Sequence, residues 1–151
     1  MSEYLVDWQS LLEQAKHART RAYAPYSKFA VGAALLTSTG EVFIGCNVEN
    51  ASFGATNCAE RTALFSAVAS IDRANMNHQS SLFRALVVVA DSQSLITPCG
   101  LCRQVLAEFC ASDMPVMLAD LRGNRQIVQF AQLLPFAFSR TNLLESEKSN
   151  D

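Results

Sequence analysis

Two short segments, Cys58-Ala59-Glu60 and Pro98-Cys99-Gly100-Leu101-Cys102, supply three thiols and one carboxylate. That is the inventory of a hydrolytic zinc. A structural zinc takes four protein ligands and is closed, whereas a catalytic one takes three and leaves a position for water. Zinc lowers the pKa of such a water to about 7, and a base must still carry its proton onward. Glu60 lies two residues from a candidate ligand, is not needed as one, and fits that role. The two residues between Cys99 and Cys102 let both sulfurs point at one ion from a tight turn. Any one of these cysteines alone would read as a small core residue; the joint pattern favours a metal. Cys46 and Cys110 could in principle complete a four-cysteine structural site. Cys46 falls in a predicted strand and Cys110 at the far end of a predicted helix, about 12 Å from Cys102. Both are read as core residues.

Both cysteine segments sit where a loop enters a predicted helix, and helix N-termini stabilise anions and lower thiol pKa. Zinc with three thiolates carries a net negative charge, which weakens it as a Lewis acid unless a cation stands behind the sulfurs. Arg61, directly after Glu60, is placed to donate hydrogen bonds to them. Arg103 follows Cys102 in the same way, with less to distinguish it from an ordinary surface charge.

These segments need elements to hold them. Trp8, Leu11, Leu12 and Ala15 recur at helical spacing and predict a helix from Asp7 to Ala22, which the Pro25 segment ends. Ala30–Leu36 and Glu41–Asn47 read as strands around a Ser38-Thr39-Gly40 turn, an antiparallel hairpin. A loop from Glu49 to Asn57 leads to a weakly charged, hence buried, helix from Cys58 to Ser70. Asp72–Ser81 reads as a surface loop, and the apolar run Ala85–Ala90 as a strand covered on both faces. A helix over Cys99–Cys110 follows, then strands at Val116–Leu118 and Gln126–Phe130, a short helix through Leu133 and Leu134, and a disordered polar tail from Glu145. Helices alternating with strands predict an α/β fold, one domain over residues 1–151, with helices covering a mixed five-stranded sheet in three layers, α/β/α.

Composition narrows the partners. Half of the 151 residues are apolar and 17% are charged, enough for a substantial core. The net charge of −2 and the absence of basic clusters give no electrostatic reason to bind nucleic acid. No apolar run reaches the roughly 20 residues that span a bilayer, and Met1-Ser2-Glu3-Tyr4 does not begin a signal peptide. Five cysteines without a secretion signal suit a reducing cytoplasm better than a disulfide framework.

Asn47 and Glu49 share one face of an extended segment, an amide and a carboxylate suited to gripping sugar hydroxyls; a polar strand end leading into a loop is an equally good reading of the spacing alone. The stretch from Tyr23 to Leu35, then Gly45-Cys46-Asn47-Val48-Glu49-Asn50-Ala51-Ser52, Cys58-Ala59-Glu60-Arg61-Thr62-Ala63, Pro98-Cys99-Gly100-Leu101-Cys102-Arg103-Gln104 and Leu133-Leu134-Pro135 together resemble the cytidine deaminases, in that family's order, over about Ala18 to Phe138. The metal segments also match the general signature of zinc-dependent base deaminases. The resemblance is strongest to the small homotetrameric members with three cysteine ligands. It implies that Cys58, Cys99 and Cys102 bind one zinc per chain, and that Glu60 shuttles protons. It further implies that Asn47 and Glu49 hold the ribose 3'-hydroxyl, that Phe29 packs on the pyrimidine, and that backbone groups of Ala59, Thr97 and Cys99 contact the base. Phe138 matches a phenylalanine that closes the pocket of a neighbouring subunit. Phe53 stands where relatives often have tyrosine, and Asp72–Ser81 is longer than in compact members; both departures bear on subunit contacts rather than chemistry. The implied reaction is deamination of cytidine and 2'-deoxycytidine in pyrimidine salvage. A blasticidin S deaminase, a polynucleotide-editing enzyme and a non-enzymatic zinc module are the alternatives.

Overall fold

The computed structural model describes residues 5–72, 74, 76 and 82–148. Helix α1, Trp8–Arg19, begins where the Asp7 carboxylate accepts the Ser10 amide at 3.0 Å, and Lys16, His17 and Arg19 in its last turn complement the helix dipole. It is shorter than the apolar spacing predicts, because Thr20 to Ala22 continue only as tight turns. Strands β1, Val31–Thr37, and β2, Val42–Cys46, form the predicted antiparallel hairpin. A short 3-10 turn at Phe53–Ala55 interrupts the loop to α2, Ala59–Ser70. Then follow β3, Phe83–Ala90; α3, Gly100–Phe109; β4, Pro115–Ala119; and β5, Arg125–Gln129.

Phe130, expected in the last strand, instead opens a four-residue helix, α4, Phe130–Leu133. The reason is local: the Gln129 amide donates to the Gln132 side chain at 2.8 Å while the Gln129 side chain caps the helix in return. The last helix, α5, Arg140–Lys148, runs on through Glu145, where the polarity of the sequence suggests a disordered tail. The Asp72–Ser81 stretch lies largely outside the described residues.

The five strands lie in the order β2-β1-β3-β4-β5, with β3 and β4 parallel and every other pair antiparallel. Parallel neighbours need a crossover, and α3 supplies it. Every residue from Ala85 to Ala90 in β3 is fully buried. Period-two alternation splits them between two cores. Ala85, Val87 and Val89 pack with Ala34 and Met117 against Leu11, Leu12 and Ala15 of α1. Leu86 and Val88 pack with Ala33 and Leu35 against Ala63, Leu64 and Ala67 of α2 and Leu106 of α3. The result is the three-layer α/β/α arrangement around a mixed sheet.

Two glycines let the helices approach the hairpin closely. A Cβ on Gly32 would stand 2.0 Å from the Ala15 carbonyl of α1, and one on Gly45 would stand 2.3 Å from the Ala59 carbonyl of α2. Gly45 therefore sets the seat of the helix that follows Cys58.

Candidate active site

Cys58 is the N-cap residue of α2 and Cys99 that of α3, both with extended backbone, and Cys102 lies one turn into α3. N-caps are usually Ser, Thr, Asp or Asn, whose oxygens accept the free amides of the first turn. Neither cysteine makes such a bond. Their sulfurs turn instead toward one another: the three Sγ atoms lie within 4.8 Å of each other, and Cys58 and Cys99 are 3.8 Å apart. Thiolates about 2.3 Å from a tetrahedral zinc stand about 3.8 Å from one another. Donor type, number and spacing thus fit zinc with one position left over.

One member of the trio, Cys58, is already biased toward charge. The Cys102 thiol hydrogen-bonds to Cys58 and, with Arg61, pulls the Cys58 pKa down to about 5, against the effect of its partial burial. Cys102 is pushed the other way, because it donates that bond and is buried. A metal ion must displace the remaining thiol protons to take all three sulfurs. Arg61 Nη2 donates to Cys58 Sγ and to the Thr56 carbonyl, each at 3.4 Å, placing a cation behind the ligand as the charge argument requires. Its Nε is buried with no hydrogen-bond partner among the described residues.

Glu60 is 4% exposed. Burial raises its pKa, and the negative Cys58 adds to the rise. A carboxyl shifted toward its neutral form, next to the thiol cluster, takes up a proton more readily than one in water and can return it. Ala59 is fully buried beside it. Thr97 is exposed at the mouth of the second ligand segment.

Asn47, Glu49 and Phe29 form a second group, tied to the first by the paired amides and carbonyls of Val48 and Asn57, each at 2.9 Å, one residue before Cys58. The alternation expected of an extended chain holds: Val48 is 45% exposed, while Asn47 and Glu49 are each 9% exposed. Their polar atoms are engaged within the chain. Asn47 Oδ1 accepts the Val31 amide at 2.9 Å and its Nδ2 donates to the Phe29 carbonyl at 2.8 Å. Glu49 accepts the Tyr26 amide at 2.9 Å, the Ser27 amide at 3.2 Å and the Ser27 hydroxyl. The Ser27 hydroxyl, followed by these amides, lowers the Glu49 pKa and keeps it ionised. Both side chains shape the loop that presents Phe29, in which Lys28 adopts a left-handed φ of 57°. Nothing in the spacing of Asn47 and Glu49 reveals this second duty.

Arg103 is a residue whose importance the sequence conceals. Its three nitrogens are all engaged: Nε donates to the Pro98 carbonyl at 2.6 Å, Nη1 to the Leu133 carbonyl at 2.7 Å and Nη2 to the Thr97 hydroxyl at 2.7 Å. Adjacency to Cys102 is the sole local signal, since one acceptor is 30 residues away. Gln104 Nε2 reaches the Phe138 carbonyl at 2.8 Å, and the Phe138 ring is 58% exposed, outside the thiol cluster. Cys110 is half-buried at the edge of the α2–α3 core, with a thiol pKa raised by burial, and Cys46 is half-buried in β2; neither belongs to the metal-competent trio.

Residues 6–118 match the model of the cytidine and deoxycytidylate deaminase zinc-binding region. The chain belongs to the cytidine deaminase family. A cytidine deaminase of Sporosarcina psychrophila is 49% identical over 138 residues, covering 91% of this chain and 96% of that protein. The crystal structure of cytidine deaminase from Burkholderia pseudomallei superposes with a TM-score of 0.80 at 49% identity, covering 88% of this chain and all of that one. A blasticidin-S deaminase of Bacillus cereus is more distant, 30% identical over 138 residues, 86% of this chain and 91% of that protein. This chain is therefore an enzyme of the deaminase family with a zinc-binding region, and no helix among its described residues is long and apolar enough to cross a membrane.

Proposed function

We propose that this enzyme hydrolytically deaminates cytidine and 2'-deoxycytidine to uridine and 2'-deoxyuridine, releasing ammonia, as a cytoplasmic step of pyrimidine salvage. The observation that carries the reading is the buried Glu60 carboxyl beside three sulfurs spaced for one zinc per chain. Cys58, Cys99 and Cys102 would hold the ion, which when bound supplies Lewis acidity that brings the pKa of a water in its open position to about 7.

Glu60 takes a proton from the attacking water and delivers it to ring N3 as the oxygen bonds to C4. It then carries the second proton to the exocyclic amine, the C4–N bond breaks, and ammonia leaves as the carbonyl forms. A carboxylate in water stays ionised near pH 7 and would hand over protons poorly; burial of Glu60 corrects that. Arg61 offsets the charge of the thiolates. Phe29 packs on the pyrimidine, Asn47 and Glu49 orient the ribose 3'-hydroxyl, and backbone groups of Ala59, Thr97 and Cys99 address the base.

The assembly proposed is a homotetramer whose pockets are completed by neighbouring subunits. Phe53, Phe136 and Phe138, with exposures of 75%, 107% and 58%, are large aromatics that a neighbouring subunit could cover, which supports it. The net charge of −2 argues against a polynucleotide substrate. The decisive experiment follows the ultraviolet absorbance of zinc-quantified protein mixed with cytidine. Conversion to uridine with about one zinc per chain is the expected result. Zinc-loaded protein that leaves cytidine unchanged but consumes blasticidin S overturns the substrate assignment.

A further inference from the structure

We infer that Arg103 is a positioning residue for the deaminase reaction, a guanidinium fork that fixes the Thr97-Pro98-Cys99 segment relative to α3 and the end of α4. This rests on the function proposed above and deepens it. Thr97 and Cys99 are the residues whose backbone groups would face the base, and Cys99 is also a metal ligand. The segment lies in the irregular stretch between β3 and α3, outside every strand, and enters α3 only at Cys99, whose carbonyl accepts the Arg103 amide at 2.9 Å. Loop residues of this kind carry function only when something rigid positions them.

Arg103 performs that task with its whole donor set. It stands in the first turn of α3, right after Cys102, and two of its nitrogens bond back to Thr97 and Pro98 while the third anchors on the Leu133 carbonyl. The three bonds leave in different directions from one planar group, so the segment is constrained in more than one direction. At 2.6 to 2.7 Å they lie at the short end for such bonds. A lysine retains the charge but is a single point with no fork, and cannot reach three acceptors in fixed directions. Gln104 reinforces the same junction by binding the Phe138 carbonyl. The turn that carries Cys102 therefore holds both the other ligand of its own loop and the chain beyond α4.

The test compares Arg103→Lys and Thr97→Val, singly and together, in the zinc-loaded protein. Thr97→Val removes one acceptor at nearly constant shape and leaves both carbonyl bonds, so it remains informative where Arg103→Lys folds poorly. Arg103→Lys is expected to keep its zinc and to melt at a lower temperature, and to lower kcat/KM by about 10- to 100-fold, the scale seen when groups supporting metal ligands or substrate geometry are lost. Because the Thr97 hydroxyl acts through a bond that Arg103→Lys already removes, Thr97→Val should lower kcat/KM in the natural background and add less than about twofold on top of Arg103→Lys. Arg103→Lys with natural kcat/KM, or losses that simply multiply, overturns the inference. Natural protein that holds zinc yet spares cytidine defeats the proposed function but leaves this inference standing, and zinc release to a chelator then decides it. Release about tenfold faster from Arg103→Lys supports the positioning role, and an unchanged rate refutes it.

Discussion

The seat of α2 on Gly45 makes the active site sensitive to a single methyl group. In Gly45→Ala the new Cβ would lie 2.3 Å from the Ala59 carbonyl, 2.5 Å from the Ala63 amide and 3.0 Å from Thr62 Cβ. The two closest neighbours are backbone, so no side chain can swing aside, and α2 must retreat by about 1 Å to regain ordinary contact. Overpacking of a tight core costs about 1–3 kcal/mol, and a backbone clash places this substitution at the upper end. For a chain of this size that corresponds to a melting temperature lower by roughly 6–12 °C. The catalytic loss should be larger. Cys58 caps α2 and Glu60 lies in its first turn, while Cys99 and Cys102 ride on α3, so the retreat opens the 3.8 Å sulfur spacing. A misplacement of about 1 Å costs on the order of 100-fold in rate. Gly32→Ala is the control. It clashes as severely, at 2.0 Å, but against α1 on the opposite face of the sheet, which carries no site residue. Thermal melts, zinc content and kcat/KM of the two variants separate the effects. Gly45→Ala should lose stability and activity together, and Gly32→Ala stability with zinc retained and kcat/KM within a few-fold. Gly45→Ala with natural zinc content and turnover would refute the reasoning.

Glu60→Gln should keep its zinc and lose about 10²- to 10⁴-fold or more in kcat, since every step depends on proton transfer; a variant with near-normal turnover excludes Glu60 as the proton carrier. Cys99→Asp should abolish activity yet stabilise the metal-free protein by about 1 kcal/mol, roughly 2–4 °C, by restoring a good N-cap to α3; melting both proteins in a strong chelator checks it. Asp120 accepts the Asn124 side-chain amide at 2.6 Å and the Arg122 and Asn124 amides at 2.8 and 2.9 Å, which together pull its pKa from 3.8 to about 2. A depressed folded-state pKa gives stability that is complete above the unfolded value and lost as pH falls from about 4 through 2. Asp120→Asn should therefore flatten that acid limb, and parallel limbs in denaturant midpoints would contradict the assignment.

The parts of the site legible in sequence are those that depend on neighbours along the chain. Cys99 and Cys102 are set by one turn, Glu60 by its place two residues after Cys58, and each falls at a loop-to-helix junction that periodicity locates to within a residue. The sheet was equally legible, because β3 is an unbroken apolar run and the β1–β2 hairpin carries its own turn. What the sequence concealed is set by contacts across distance. Arg103 looks like a surface charge until the Leu133 carbonyl, 30 residues on, is brought beside it. Asn47 and Glu49 look like ligand-gripping groups, but their hydrogen bonds to residues 26–31 require the chain to return 16 to 23 positions away. The four-residue helix α4 displaced an expected strand end through a reciprocal pair of glutamines that apolar periodicity cannot detect.

The N-cap cysteines show how the fold gives up local stability to hold a reactive centre. At the entry of α2 and of α3 a serine or aspartate would satisfy free amides and contribute about 1 kcal/mol each. Cysteine at both positions forgoes that, and it leaves the positive ends of two helix dipoles directed at the sulfurs. The helix N-terminus thereby adds to the electrostatics that favour a thiolate at Cys58, in concert with Arg61. The same arrangement explains why Glu60 can remain buried in the first turn of α2. A carboxyl near a helix N-terminus is favoured as an anion, but burial and the adjacent Cys58 disfavour it and prevail, so Glu60 holds a proton more readily than a carboxyl in water. A carboxyl shifted in that direction accepts a proton more readily than a free one, which is what a residue that must first accept and then return protons requires.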